Sequence, residues 1–162
     1  MSDIALVVFD MDGVLIDSEP VWQQVRAELV ATHGGHWSEQ DGLDCRGAPA
    51  DVWAELVSER TGGQLSPEQA EVGVIRGMCD AYAADLPMFS GAADAVRAVA
   101  QRHLVAVASG SPRVLIDTVL EHSGLGQVCA AAACGEEVAN GKPAPDVYLE
   151  VLATLGVEAR AT

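Results

Sequence analysis

Six apolar residues in a row, Ile4-Ala5-Leu6-Val7-Val8-Phe9, run directly into Asp10-Met11-Asp12-Gly13. An unbroken apolar run rich in β-branched residues has no polar face to offer water. It therefore predicts a strand over 4–9 covered on both faces, as in a parallel α/β sheet. In open sheets of that kind, ligands bind outside the carboxyl ends of the strands. Residues two apart on a strand point the same way, so Asp10 and Asp12 can converge on one small site. Two carboxylates held that close repel, and a bound cation is the simplest compensation. Gly13 then lets the backbone turn without a Cβ penalty. The plain alternative is a strand ending in a polar turn, where Asp is common in any case.

After Ile16 the pattern becomes helical and stays so to Leu86. Val21, Val25 and Leu29, with Trp22 beside them, make one amphipathic stripe, stopped by His33-Gly34-Gly35-His36. Ser38 and Asp41 have capping-pair spacing, and Val52, Trp53, Leu56 and Val57 mark a helix ended by Thr61-Gly62-Gly63. Ser66-Pro67-Glu68-Gln69 predicts a helix start, with Ser66 as N-cap, Pro67 in the first position and Gln69 reaching back. No strand pattern interrupts this stretch.

Pro87 and Gly91 punctuate a return to α/β character: a short helix over 94–101, then a second buried strand over 104–108 ending in Ser109-Gly110-Ser111-Pro112-Arg113. Small hydroxyl residues between a strand and a helix start form an anion cradle, because free backbone N–H groups and a partial positive charge meet there. Ser111 is the expected N-cap, which leaves Ser109 for a ligand. A third strand is expected over 128–134 from its place between helices, although its run of alanines would suit a helix equally, and a helix from Pro145 to Leu155 is stopped by Gly156. Lys142, between Gly141 and Pro143, is the only lysine among nine cationic residues. In a chain of net charge −15 it is poorly explained as surface decoration, and a fixed ammonium near two carboxylates and a phosphate is the functional alternative.

That charge argues against nucleic-acid binding, which needs a basic footprint. No apolar run reaches membrane-spanning length, and the N-terminus carries no basic-then-apolar signal pattern, so no membrane partner and a cytoplasmic location are expected. Cys45, Cys79, Cys129 and Cys134 form no C-x-x-C pair, which predicts reduced, mostly buried thiols.

Phe9-Asp10-Met11-Asp12-Gly13-Val14-Leu15-Ile16-Asp17-Ser18-Glu19 resembles the first motif of the haloacid dehalogenase superfamily, in its small-sugar phosphatase and β-phosphoglucomutase-like branch. Ser109 resembles the second motif and Gly141-Lys142-Pro143 the third, in the right order. The resemblance implies a Rossmann-like parallel α/β core, residues 1–16 plus 88–162, with an inserted α-helical cap over 17–87. It implies that Asp10 is the nucleophile and Asp12 the acid/base. Ser109, Gly110 and Lys142 would bind the transferring phosphoryl group, and Mg2+ would be held by Asp10 and the backbone carbonyl of Asp12. Cys45-Arg46-Gly47-Ala48-Pro49 resembles the cap's specificity loop, which makes Arg46 and Gly47 substrate-selecting residues. The activity implied is a magnesium-dependent phosphatase of small phosphorylated metabolites, and a monomer is expected of the complete fold. A phosphomutase and a non-catalytic role are the alternatives. The family's acidic fourth motif has no counterpart before Thr162; a strand carrying it would lie beside the first strand, and without it weaker folding and weaker magnesium binding are expected.

Overall fold

The computed structural model of the protein describes residues 4–159. The chain divides into two compact units. One comprises the residues up to Asp17 and those from Tyr82 onward; the other is Ser18–Ala81.

The first unit is built on a three-stranded parallel sheet, with strands β1 (Leu6–Phe9), β2 (Leu104–Ser109) and β3 (Ala131–Cys134) side by side in that order. Phe9 pairs with Val107, and Ser109 with Cys134, so the carboxyl ends of all three strands lie together. Helices α5 (Ala92–Ala100), α6 (Arg113–Ser123) and α7 (Asp146–Leu155) belong to the same unit. Leu6, Ala106, Ala108 and Ala133 pack with Val147 and Val151 of α7 in its core. The alanines suit this arrangement because small side chains on β2 and β3 let a helix approach closely. Gly124 and Gly156 end α6 and α7 in left-handed conformation, the usual helix stop.

Two strand expectations need correction. β1 begins at Leu6, with Ile4 and Ala5 exposed, and only Leu6 is fully buried while Val7, Val8 and Phe9 are half-buried. Among the described residues β1 has one neighbour, β2, and an edge strand cannot be covered as a central one is. β3 begins at Ala131, because Leu125–Gln127 forms a 3-10 turn and Cys129 N–H bonds back to the Leu125 carbonyl.

The chain leaves and re-enters this unit through a narrow neck. Asp17 N–H donates to the Pro87 carbonyl at 2.8 Å and Phe89 N–H to the Leu15 carbonyl at 3.0 Å, with Ile16 and Met88 bridged antiparallel between them.

The second unit is helical: α1 (Glu19–Thr32), α2 (Glu39–Asp44), α3 (Ala50–Arg60) and most of α4 (Pro67–Ala84). Gly73 and Gly77 lie four apart on α4, where an added Cβ would stand 3.0 Å from Leu29 and 2.7 Å from Val25 of α1. Both predicted capping pairs form. Ser66 Oγ accepts from Gln69 N–H while the Gln69 side chain accepts from Ser66 N–H. Ser38 Oγ accepts from Asp41 N–H, and Asp41 Oδ2 accepts from Ser38 N–H and Oγ–H.

Asp41 is buried and its Oδ1 also takes Nε–H and Nη2–H from Arg60, at 3.0 and 2.7 Å. Arg60, followed by the Ser38 donors, holds this carboxyl well below the usual carboxylate range, against the opposing effect of burial. A carboxylate depressed in the folded state stabilises it above its unfolded pKa, and that contribution is lost as pH falls toward the folded value. Asp41→Asn is thus expected to cost about 1–2 kcal/mol at neutral pH, discounted because Arg60 is half in solvent. Denaturant melts across pH should show parent and variant separated by a constant gap above about pH 5, narrowing below about pH 4.

Candidate active site

The α/β unit gathers its candidate residues at the carboxyl ends of β1 and β2. Asp10 follows β1 directly. Its Oδ1 accepts from Met11 N–H at 2.8 Å and from the Lys142 ammonium at 2.8 Å. Lys142 arrives from the loop before α7 and also donates to the Ala108 carbonyl of β2, at 3.0 Å. Its Nζ lies 5.2 Å from the centre of the Tyr148 ring, within range of a cation–π attraction. The loop is tied down behind it, since Asp146 Oδ2 accepts from both the backbone N–H and the side-chain amide of Asn140.

Asp12 lies in the turn after β1, where the Met11 carbonyl collects N–H bonds from Val14, Leu15 and Ile16, and Gly13 takes φ +73°. Its Oδ2 accepts the hydroxyls of Ser109 at 2.9 Å and Ser111 at 2.8 Å. Its Oδ1 is buried with no partner.

Ser111 is therefore not the helix cap expected from the sequence. Pro112 holds the N-cap position of α6, and the Ser111 hydroxyl crosses to Asp12. Ser109 is fully buried, and its oxygen accepts from Ser111 N–H while its proton goes to Asp12. A ligand that used the Ser109 hydroxyl would have to draw it away from that carboxylate. Gly110 is exposed, and a Cβ there would meet nothing within 4 Å. Arg113 is committed elsewhere: its guanidinium holds Glu137 and the Ala132 carbonyl, while its N–H donates to Glu136. Sequence reasoning missed Ser111 as a donor and Ala108 as an acceptor. The Ser-x-Ser spacing carried a signal for the first; a backbone carbonyl carries none.

The donor set fits a hard divalent cation. Asp10 and Asp12 offer only oxygen donors, the kind a hard divalent cation takes. Among the described residues no three His, Cys, Asp or Glu side chains gather, so water would have to complete such a shell, as Mg2+ readily allows.

The remaining predicted residues, Arg46 and Gly47, belong to the helical unit. Arg46 is exposed and its Nε lies 3.5 Å from Glu19 Oε1. Gly47 turns the chain at φ +70°. Of the cysteines, Cys45 and Cys134 are buried and Cys79 and Cys129 half-buried. Among the described residues no helix is long and apolar enough to cross a membrane.

A sequence model described as haloacid dehalogenase-like hydrolase matches residues 4–162. Hexitol phosphatase B of Escherichia coli K12 is 33% identical over 159 residues, covering 96% of this chain and 71% of its own. Fructose-1-phosphate phosphatase YqaB from the same organism is 27% identical, covering 94% and 80%. Among solved structures, a Thermotoga maritima protein assigned as a β-phosphoglucomutase aligns with TM-score 0.78 at 27% identity over 95% of this chain and 72% of that one. CbbY from Rhodobacter sphaeroides, in complex with phosphate, aligns with TM-score 0.80 at 20% identity, covering 98% and 75%.

Proposed function

The chain belongs to the haloacid dehalogenase-like hydrolases, and on that premise we propose that it is a magnesium-dependent phosphatase of small phosphorylated metabolites, sugar phosphates foremost, working through an aspartyl-phosphate on Asp10. The observation that carries this reading is the Lys142 ammonium, fixed at once to Asp10 and to the β2 backbone. A carboxylate approaching a phosphate ester meets two negative charges, and a positioned cation offsets the repulsion where it develops. The named substrates of hexitol phosphatase B and YqaB support phosphorylated sugars as the class.

An Asp10 oxygen attacks phosphorus, and the ester oxygen leaves with a proton from Asp12. Water then attacks the same phosphorus and gives its proton to Asp12, which releases inorganic phosphate and restores Asp10. Lys142 balances charge on the phosphoryl oxygens throughout, and the Gly110 backbone and Ser109 line their side of the site. Ser109 and Ser111 hold one Asp12 oxygen in place, which leaves the other, without a hydrogen-bond partner, to carry the proton. Mg2+ held by Asp10 and the Asp12 carbonyl would supply Lewis-acid neutralisation of the phosphate. Arg46 and Gly47 are proposed to select the non-reacting part of the substrate.

The test is hydrolysis of an aryl phosphate and a panel of sugar phosphates, with and without magnesium; no turnover of any of them would defeat the proposal. The stretch Glu136 to Asp146 resembles the mutase pattern and keeps a phosphomutase as second reading. Interconversion of sugar 1- and 6-phosphates on priming with a bisphosphate would select it.

Lys142→Arg should not rescue Lys142→Ala. The ammonium sits between a carboxylate oxygen and a carbonyl, each within 3.0 Å, and a planar guanidinium cannot occupy that spot with the same contacts. Both variants are expected to lose about 10²-fold or more in kcat/KM. Activity of the arginine variant equal to the parent would show that Lys142 does not act on the phosphate.

A further inference from the structure

Arg26 of α1 is the least explained charge in the helical unit. It is 4% exposed, and its Nε is buried with no hydrogen-bond partner. Arginine keeps its charge in proteins, and a buried charge without a partner is costly. What Arg26 does have is aromatic surface: its guanidinium carbon lies 4.9 Å from the centre of the Trp22 ring and 5.2 Å from that of Trp53. The two ring centres are 5.9 Å apart, their planes inclined at 55°. Three centres at nearly equal separations place both indoles to one side of the cation, which thus sits in a notch rather than between parallel plates. Indole faces attract the charge but accept no hydrogen bond along the guanidinium edge.

The surrounding charges leave that edge unanswered. Glu19, the nearby carboxylate, is paired with Arg46, so two guanidiniums share one carboxylate within a chain of net charge −15. Burial pulls the Arg26 pKa down, and Cys45 and Glu19 offset only part of that effect. Burial also pushes the Cys45 thiol up, away from the anionic form that would answer Arg26.

We propose that Arg26, seated in the notch of Trp22 and Trp53, is an oxyanion-binding residue of the helical unit that takes a carboxylate or phosphate group edge-on. The guanidinium edge offers two parallel N–H donors, the match for two oxygens of one anion. The indoles hold that edge in a fixed orientation, so little rotamer freedom is lost when the anion binds. This site rests on residues of the helical unit alone and stands whether or not Asp10 performs the chemistry proposed above.

The test is tryptophan fluorescence of the full chain, titrated with sodium phosphate and with sodium acetate at constant ionic strength. Two of the three tryptophans form the notch, while Trp37 donates to Gln23 instead. A saturable change with a Kd of about 1 mM is expected of one bidentate charged pair. It should persist in Lys142→Ala, which removes the cation beside Asp10. Arg26→Met should abolish the change and Arg26→Lys should weaken binding about tenfold, because an ammonium offers no fork. Glu19→Gln should tighten it about threefold by removing a competing carboxylate. The phosphate and acetate arms identify which oxyanion fits. No saturable response to either anion in the parent protein up to about 50 mM would overturn the proposal. So would a response that disappears in Lys142→Ala, or one unchanged in Arg26→Met; the parent and Glu19→Gln titrations decide the matter even if the Arg26 variants do not fold.

Discussion

Asp10→Asn is expected to abolish phosphatase activity, by about four decades or more in rate, while leaving the fold intact. The amide has the shape of the carboxylate but is a poor nucleophile and a poor ligand for a hard cation. Asp10 is half-buried, and its described polar contacts are with Met11 N–H and Lys142. An amide oxygen can still accept both, so thermal melting should differ from the parent by no more than about 1 kcal/mol. The measurement is single-turnover hydrolysis together with acid-quench trapping of phosphorylated protein. Retention of more than about a tenth of the parent activity, or trapping of phosphate on Asp10→Asn, would remove Asp10 from the mechanism.

Asp12→Ala is expected to be nearly as damaging, with a loss of about 10²–10⁴-fold through failed proton transfer. Here the fold should feel the change as well. Asp12 is the acceptor for two hydroxyls, and the fully buried Ser109 would keep a donor with nowhere to send it. That adds about 1–3 kcal/mol of destabilisation. The diagnostic result is kinetic: once formed, the phosphorylated protein should persist, because nothing takes the proton from the attacking water. If trapping shows dephosphorylation at the parent rate, Asp12 serves the architecture of the turn and another group moves the proton.

Where sequence determined local geometry, the structure could be read from it. The two capping pairs, Ser38 with Asp41 and Ser66 with Gln69, depend on residues three apart and form as their spacing requires. Gly124 and Gly156 likewise stop the helices they follow. The alternation-free run before Asp10 announced β1 but not its burial, which depends on how many neighbours a strand has rather than on its own residues. In the site, the approach of Lys142 to Asp10 was legible because a lone lysine in an acidic chain has few other roles. The crossing of Ser111 to Asp12 was not. Next to a proline-started helix, a serine has a local use as a cap, and only the parallel register of β1 and β2 brings a residue 99 positions away into competition for it. Arg26 was hidden for a related reason: the stripe of Val21, Val25 and Leu29 shows which side of α1 packs, not that the adjacent arginine meets Trp53 from another helix.

The neck has a bearing on how quickly the molecule assembles. Leu6 pairs with Leu104, 98 positions along the chain, and sheet contacts so distant are slow to form because the intervening loop must first close. Asp17 and Pro87 are 70 positions apart, yet they are hydrogen-bonded to each other. Once that contact exists, the path from β1 to β2 shortens to about 28 residues, and the entropy cost of closing it falls by about 1 kcal/mol. The helical unit can then be lengthened, shortened or rebuilt at its far end with little penalty to the pairing that unites Asp12 with Ser109. Changes in the length of the helical unit and the pairing of β1 with β2 are in this way assigned to different stretches of chain.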